Sequence, residues 1–491
     1  MTMNLSILDP ILKFIPSVKK PSSPLSFREK MKWTGLILLV YFMMFSTPAI
    51  GVSVSALNQP VMQLISIIFA ARIGYIITVG ITPIVLSSIL LQLVIGAGVF
   101  KVDLNDPEQK GRFQSIQKLM AICIAVVEAY IFVATGYVTL SSPAFFGIVF
   151  AQLAISAIFI IFLDETMTKY GITSGINLFI AGGVAFSIIG GTVTVLFSEA
   201  ASAITAGGAT AIPSAILAFG PLFFAAVVFL VCIYVYDIKV ELPLVFSQLR
   251  GIGGRLPIPF LYVSVLPVIL ATSFETSLTV WLRFIAGVTG PLANIAKFFA
   301  YYTPQALSTG GTQLNLVGGL VYLISPSFPT PYSSAYGGQG SYQLYFNWFI
   351  THSSQLFLPW GGMIMVPELV HIIIYTLVLV VLAVVFGKFW VEMTGQNPKN
   401  VAEQLGDVGW QIPGFRRDPR IVENVLNKYI PTLTTLGSII VGLLAAIATL
   451  TGAIGSGMGI LLTVGIIFML YQQLEQEGLY NTYPILNKIA K

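Results

Sequence analysis

The sequence predicts an all-α, polytopic membrane protein with about ten spanning helices, on three observations. Of 491 residues only 9% are charged and 56% are hydrophobic. Soluble domains carry roughly 25% charged residues, so the polar surface here is too small for water to be the solvent. Apolar stretches long enough to cross roughly 30 Å of hydrocarbon recur along the whole chain. Lysine and arginine, finally, collect in alternate connections between those stretches.

The ten stretches cover 33–50, 74–99, 118–137, 144–163, 175–197, 214–236, 260–284, 362–386, 430–450 and 454–471. An eleventh apolar run, 60–72, is too short to span and is expected to lie at an interface or inside the protein. Six cations precede the first stretch, and four surround the connection between the second and third. One follows the fourth, three lie between the sixth and seventh, six between the eighth and ninth, and two in the tail. Of the 25 Lys and Arg residues, only Arg72, Arg283 and Lys297 fall elsewhere. Positive charge stays on the cytoplasmic side, so both termini are expected in the cytoplasm, in a multi-pass protein of the cell membrane.

This organises the chain. Residues 1–32 read as a cytoplasmic segment, since the first apolar run starts too late for a signal peptide. The first half runs over 33–198, with a short apolar insert at about 55–72. A connection, 199–213, leads to the second half, 214–471, and a cytoplasmic tail, 472–491, closes the chain. Cytoplasmic loops are expected at 237–259 and 388–429. A long external loop, 285–361, is rich in Gly, Ser, Tyr and Pro and carries one charge, Lys297. The tip Gly414-Phe-Arg-Arg-Asp418 suits a phosphate or an acidic partner, or is simply a solvated positive loop.

Catalytic signatures are missing. The two histidines, His352 and His371, lie nineteen residues apart, and no His-Glu-x-x-His, P-loop or nucleophile elbow is present. No enzyme activity, metal or cofactor is expected. Cys123 and Cys232 sit inside apolar runs and are expected to be buried rather than bridged. Glu128, in the middle of the third stretch, is the clearest intramembrane acid; such groups are costly and usually functional. It is either a proton site or a hydrogen-bonded packing residue. Glu275, and Glu368 with His371 on one helical face, lie nearer the outer ends, where solvation would account for them.

Matched breaks occur in the two halves. Pro83 interrupts the second stretch and Pro267 the seventh, each expected to kink its helix. Paired interruptions of this kind mark the interface of internal repeats. Around them the side chains are aliphatic: Ile81 and Val85 share one face, as do Ile176 and Ile180. An aliphatic constriction closes by dewetting and is indifferent to side-chain chemistry when it widens. From spacing alone, ordinary lipid-facing or packing residues are the better account of them.

The motif Gly80-Ile-Thr-Pro-Ile-Val-Leu-Ser-Ser-Ile-Leu-Leu-Gln-Leu-Val-Ile-Gly96 resembles SecY and its counterpart, the alpha subunit of the endoplasmic reticulum translocon. So do Asp164-Glu165 with Lys169-Tyr-Gly-Ile-Thr-Ser-Gly-Ile176, Pro257-Ile-Pro-Phe-Leu-Tyr-Val-Ser264 and Phe389-Trp-Val-Glu-Met-Thr-Gly395. Tyr429-Ile-Pro431 and Gly459-Ile-Leu-Leu-Thr-Val464 complete the series in family order, most like archaeal members. The resemblance implies a protein-conducting channel, the central subunit of the Sec translocase. Ten helices would form two pseudo-symmetric five-helix halves around a central pore, hinged at the connection between them. The aliphatic pore ring falls on Ile81, Val85, Ile176, Ile180, Ile269 and Leu462. A plug falls on Pro60, Val61, Met62, Leu64, Ile65, Ile67 and Ile68. The sideways gate falls on Leu86, Gln92, Glu128, Val265 and Pro267. Ribosome contact falls on Arg250, Arg255, Arg416 and Arg417.

Implied partners are the small single-span SecE (gamma) and beta subunits in a heterotrimer, the ribosome with its nascent chain, signal peptides and membrane lipid. Leu86 and Val265 stand where relatives often carry polar residues, which implies a greasier gate and a higher hydrophobicity threshold for signal sequences. The alternatives are a proton-coupled secondary transporter built on Glu128, and a membrane scaffold.

Overall fold

The structure, a computed structural model, describes residues 16–23, 25–53, 70–96, 107–194, 201–205, 212, 216, 218–246, 253–263, 265–288, 290, 292–306, 312–329, 342–408, 410–411, 419–455 and 457–476. A helix lies over each apolar stretch. In chain order these are α1 (Phe27–Ser46), α2 (Thr82–Gly96), α3 (Pro107–Ala134), α4 (Phe146–Tyr170) and α5 (Gly175–Thr194). Then follow α6 (Gly220–Asp237), α7 (Leu266–Leu282), α8 (Glu368–Met393), α9 (Pro419–Leu450) and α10 (Gly457–Gln476). Among the described residues seven helical segments, over α3 to α9, are long and apolar enough to cross a membrane. The apolar parts of α2 and α10 are shorter, and α1 opens with four charged residues in its first six.

What these helices expose is as telling as what they bury. On α1 the buried face is Thr34, Ile37, Tyr41 and Phe45, the three- and four-residue spacing of one helical stripe. Its opposite face shows Leu36, Leu39 and Met43. On α8 the buried line Tyr375, Leu379, Ala383 and Phe386 is backed by exposed Ile373, Leu377 and Val381. A helix apolar all round needs an apolar solvent. Cys123 is likewise exposed, correcting the expectation that it is buried, whereas Cys232 is buried. A small apolar side chain facing lipid costs nothing.

The helices close on one another in a ring. α2 packs on α3, α3 on α4, α4 on α1 and α5, and α5 on α1 and α10. α10 packs on α6 and α9, α9 on α8, α8 on α7, and α7 returns to α2 and α3. One large apolar core runs through all ten. A second, smaller cluster joins Val422, Leu426, Ile430 and Leu433 at the start of α9 with Val391, Ile258 and Ala402. It extends α9 about three turns beyond the apolar stretch read from the sequence.

The prolines begin helices instead of kinking them. Pro83 is the second residue of α2 and Pro267 the second of α7. At that position the missing N–H has no acceptor to lose, and the fixed φ suits a first turn.

The chain is mostly helical, as expected, but the connections also hold two small sheets. Strands β1 (Lys239–Phe246), β2 (Gly253–Pro259) and β7 (Trp410–Gln411) form one, in the antiparallel order β2-β1-β7. Strands β3 (Tyr301–Ala306), β4 (Thr312–Gly318), β5 (Ser353–Phe357) and β6 (Met363–Pro367) form the other, in sequence order. β4 and β5 meet in parallel at Gly318 and Gln355. A Cβ on Gly318 would lie 2.0 Å from the Gln355 carbonyl oxygen, so only glycine fits. β6 was read as the start of a span because its Met-Ile-Met-Val run is as apolar as a helix.

Candidate functional site

The six aliphatic positions come from four helices of the ring. Ile81 stands just before α2, and its carbonyl accepts from the N–H of Ile84 and Val85 at 3.0 and 3.3 Å, which starts the helix and sets Val85 one turn on. Ile269 is placed the same way, by its own N–H donating to the Val265 carbonyl at 3.1 Å. Ile176 and Ile180 lie on α5 and Leu462 on α10. Ile180 and Leu462 are fully buried, Ile81, Val85 and Ile269 nearly so, and Ile176 packs against them part-buried. All six belong to the one apolar core. None carries a hydrogen-bonding side chain.

The start of α5 is fixed by α4. Asp164 Oδ1 accepts from the Ile176 N–H at 2.9 Å, a carboxylate at a helix N-terminus. The two backbones meet so closely that a Cβ on Gly175 would sit 2.7 Å from the Asp164 Cα. Beside it, Glu165 takes Lys118 at 2.5 Å and Lys169 at 2.6 Å, and accepts from the Val18 N–H at 3.1 Å. Tyr170 donates to the Lys19 carbonyl at 2.9 Å. The N-terminal segment is thereby tied to the ends of α3 and α4. The Asp164-Glu165 motif signalled that these residues matter; their capping role needed the fold.

The seam where α7 meets α2 and α3 is polar yet underbonded. Gln92 donates to Ser88 at 3.1 Å, but its Oε1 has no partner. Glu128 of α3 approaches Trp281 of α7, without satisfying either Glu128 Oε2 or Trp281 Nε1. Leu86 is buried in the apolar core. Val265 and Pro267, at the start of α7, also lie near α10 and α8: a Cβ on Gly465 of α10 would reach Val265 Cγ2 at 3.0 Å, and one on Gly387 of α8 would reach Pro267 Cγ at 3.6 Å. Just past the C-terminal ends of α3 and α7, buried Arg283 donates to the Thr135 and Gly136 carbonyls at 3.0 and 3.4 Å, with its guanidinium 4.1 Å from the Tyr137 ring.

Glu368 and His371 are buried, not solvated. Glu368 Oε1 accepts from the Tyr322 hydroxyl at 3.0 Å, and Oε2 lies 2.7 Å from His371 Nδ1. His371 Nε2 is 3.1 Å from the Ser325 carbonyl. Both ring nitrogens thus face oxygens. Burial, and then the Glu368 carboxylate, hold the Tyr322 phenol above its ordinary range, so it remains a donor. Glu275 is also buried, with both carboxyl oxygens unpartnered.

The plug positions Pro60, Val61, Met62, Leu64, Ile65, Ile67 and Ile68 lie outside the described residues, as do Arg250, Arg416 and Arg417. Arg255 lies on β2, opposite Pro243. No group of three or more candidate metal ligands occurs among the described residues.

A closed circuit of apolar helices around one apolar core, with further apolar side chains exposed on the outside, defines a multi-pass helical membrane protein. The chain belongs to the SecY family, whose model matches residues 75–471. It is 36% identical to the protein translocase subunit SecY of Methanothermobacter thermautotrophicus, over 97% of each chain. Among solved structures it resembles a SecY translocation channel whose plug domain stabilises the closed state (TM-score 0.73, 35% identity, 96% of this chain and 97% of that one). It also resembles the channel of the canine ribosome–channel complex from the endoplasmic reticulum (TM-score 0.71, 34% identity, 96% and 97%). Nothing in these likenesses supports a proton-coupled transporter.

Proposed function

We infer that this chain is the channel-forming subunit of a protein translocase, passing unfolded polypeptides across the membrane and releasing apolar segments sideways into lipid. The observation that carries the reading is that Ile81, Val85, Ile180, Ile269 and Leu462 are all buried in the apolar core that the ten helices share, and we read them as lining one constriction. Such a constriction seals by excluding water and offers no hydrogen bond for a particular solute to compete for. A solute carrier would place polar groups there.

In this reading all ten helices span, α1–α5 and α6–α10 form two halves hinged over 199–213, and both termini are cytoplasmic. The six aliphatic residues form the pore ring, and the segment about 55–72 forms the plug. The gate runs along the seam of α2 and α3 with α7, through Leu86, Gln92 and Glu128, with Val265 and Pro267 at the foot of α7. Support for the seam as the moving part comes from its orphaned buried atoms. Each unsatisfied buried polar group costs about 1–3 kcal/mol, so new partners for Gln92, Glu128 and Trp281 would favour an opened junction. The loops around Arg250, Arg255, Arg416 and Arg417 would meet the ribosome, and SecE (gamma) and beta subunits would complete the complex in the cell membrane. A signal segment would bias the open state by its preference for lipid over the closed pore.

Single-channel conductance in planar bilayers tests this. The complete protein is expected to be quiet, and a variant lacking residues 60–70 to show large, flickering ion currents. Silence in both, or current that follows a small solute and a proton gradient, would contradict the channel reading.

A further inference from the structure

The connection between α7 and α8 carries a surface that the channel reading leaves unused. β6 is an edge strand of its sheet, and three consecutive residues on it, Met363, Ile364 and Met365, are each about half exposed. Successive strand residues point to opposite faces, so neither face of β6 is covered. The turn before it presents Trp360, 80% exposed. Along 285–361 the only charged residue is Lys297, which sits over the rings of Tyr301 and Phe357. A lobe bathed in water would not show a bare apolar hairpin with so little charge.

Two anchors set where this hairpin lies. β6 passes without a linker into α8, Pro367 being the residue that caps the helix. The first exposed residues of α8 are Leu369, Val370 and Ile373, so the apolar surface of the hairpin is continuous with the lipid-facing side of a spanning helix. The short helix Tyr342–Thr351 packs against both β6 and α8. Its Tyr345 hydroxyl donates to the Leu450 carbonyl, at the last residue of α9, at 2.7 Å. The hairpin is therefore held at the level where α8 begins and α9 ends.

We propose that the hairpin of β5 and β6, with Trp360 at its tip, is an interfacial anchor that lies in the headgroup layer of the bilayer surface meeting the start of α8. The chemistry fixes the depth. The outer edge of β6 carries backbone N–H and C=O groups that need partners, and hydrocarbon supplies none. Headgroups and their water do, and tryptophan concentrates at that level. The anchor fixes the height of α8, and through it that of α7, which packs on α8. The inference rests on the membrane setting alone and holds whether or not the channel reading does.

The test uses the two native cysteines' removal, Cys123→Ser with Cys232→Ser, and single cysteines introduced by Trp360→Cys or Ile364→Cys. Each carries an environment-sensitive fluorophore in lipid nanodiscs, with aqueous iodide and headgroup-level or deep nitroxide lipids as quenchers. Leu377→Cys, exposed in mid-α8, marks the hydrocarbon, and Glu403→Cys, exposed on the helix Pro398–Val408, marks water. The expected result at 360 and 364 is quenching by headgroup-level nitroxide, with iodide quenching reduced relative to 403 and deep quenching reduced relative to 377. Iodide quenching equal to that at 403 would overturn the proposal. So would protection from both quenchers that disappears when each disc holds one copy, since the strand edge would then be pairing with a second chain.

Discussion

Glu368 shows how much a single buried group depends on its company. Its two oxygens serve Tyr322 and His371, and His371 in turn reaches the Ser325 carbonyl. Rings of Tyr322 and Phe328 lie 4.6 Å from the imidazole on centroid distance, so no water can replace a lost partner. Glu368→Ala would orphan both neighbours, at about 1–3 kcal/mol for each. Thermal unfolding should show that loss, and His371→Ala in the Glu368→Ala background should add less than it does alone, because the two act as one unit. Strict additivity would mean the contacts are independent. The sequence showed these two residues on one helical face, from their spacing of three. It hid their burial, because Tyr322 and Ser325 arrive from 46 positions away. For the aliphatic residues the reverse held. Spacing paired Ile81 with Val85 and Ile176 with Ile180, while only the resemblance singled out Ile269 and Leu462.

At the scale of elements, apolar length was legible and element type was not. Every stretch of lipid-compatible length became a helix, since only a helix satisfies its own backbone in hydrocarbon. β6 escaped because hydropathy does not distinguish an apolar strand from a helix, and the two prolines were misplaced because their helices start later than the apolar runs do. The junction of α4 and α5 falls within the motif Lys169-Tyr-Gly-Ile-Thr-Ser-Gly-Ile176, and Gly175→Ala tests its close packing. The added Cβ would meet the Asp164 Cα at 2.7 Å, forcing the start of α5 away. Overpacking of this kind costs about 1–3 kcal/mol. A lower unfolding temperature and an ion leak through a displaced Ile176 and Ile180 are expected; an unchanged, silent protein would count against the close approach. α1 makes a pH-dependent prediction. Glu29 accepts from both the backbone N–H and the hydroxyl of Ser26 at 2.9 Å, and these bonds hold its carboxyl below the ordinary range. Its contribution is therefore present above the unfolded value and lost as pH falls through the folded one. Amide protection at Glu29 and Lys30, whose N–H groups both reach Ser26, should fall on acidification once exchange is corrected for its intrinsic base-catalysed rate, and Glu29→Gln should abolish that pH dependence.

For the whole molecule, the closed circuit of helix contacts matters more than any one of them. α7 meets α2 and α3, and α5 meets α10. On the proposed channel reading, widening the pore requires one of these junctions to part, and the first has buried polar atoms without partners among the described residues. Charge alternation gives an expected membrane topology from the sequence alone. The circuit itself was invisible, because it joins helices hundreds of residues apart through ordinary leucine, isoleucine and valine. The central claim is that a polypeptide passes between Ile81, Val85, Ile180, Ile269 and Leu462. The most direct measurement places a photo-activatable residue at Ile180 or Ile269, and at lipid-facing Leu377, in membranes holding a stalled secretory chain. Adducts to the chain from 180 and 269, with only lipid adducts from 377, are the expected result. Chain adducts absent from 180 and 269 while the stalled chain is protected across the membrane would show that the path lies elsewhere.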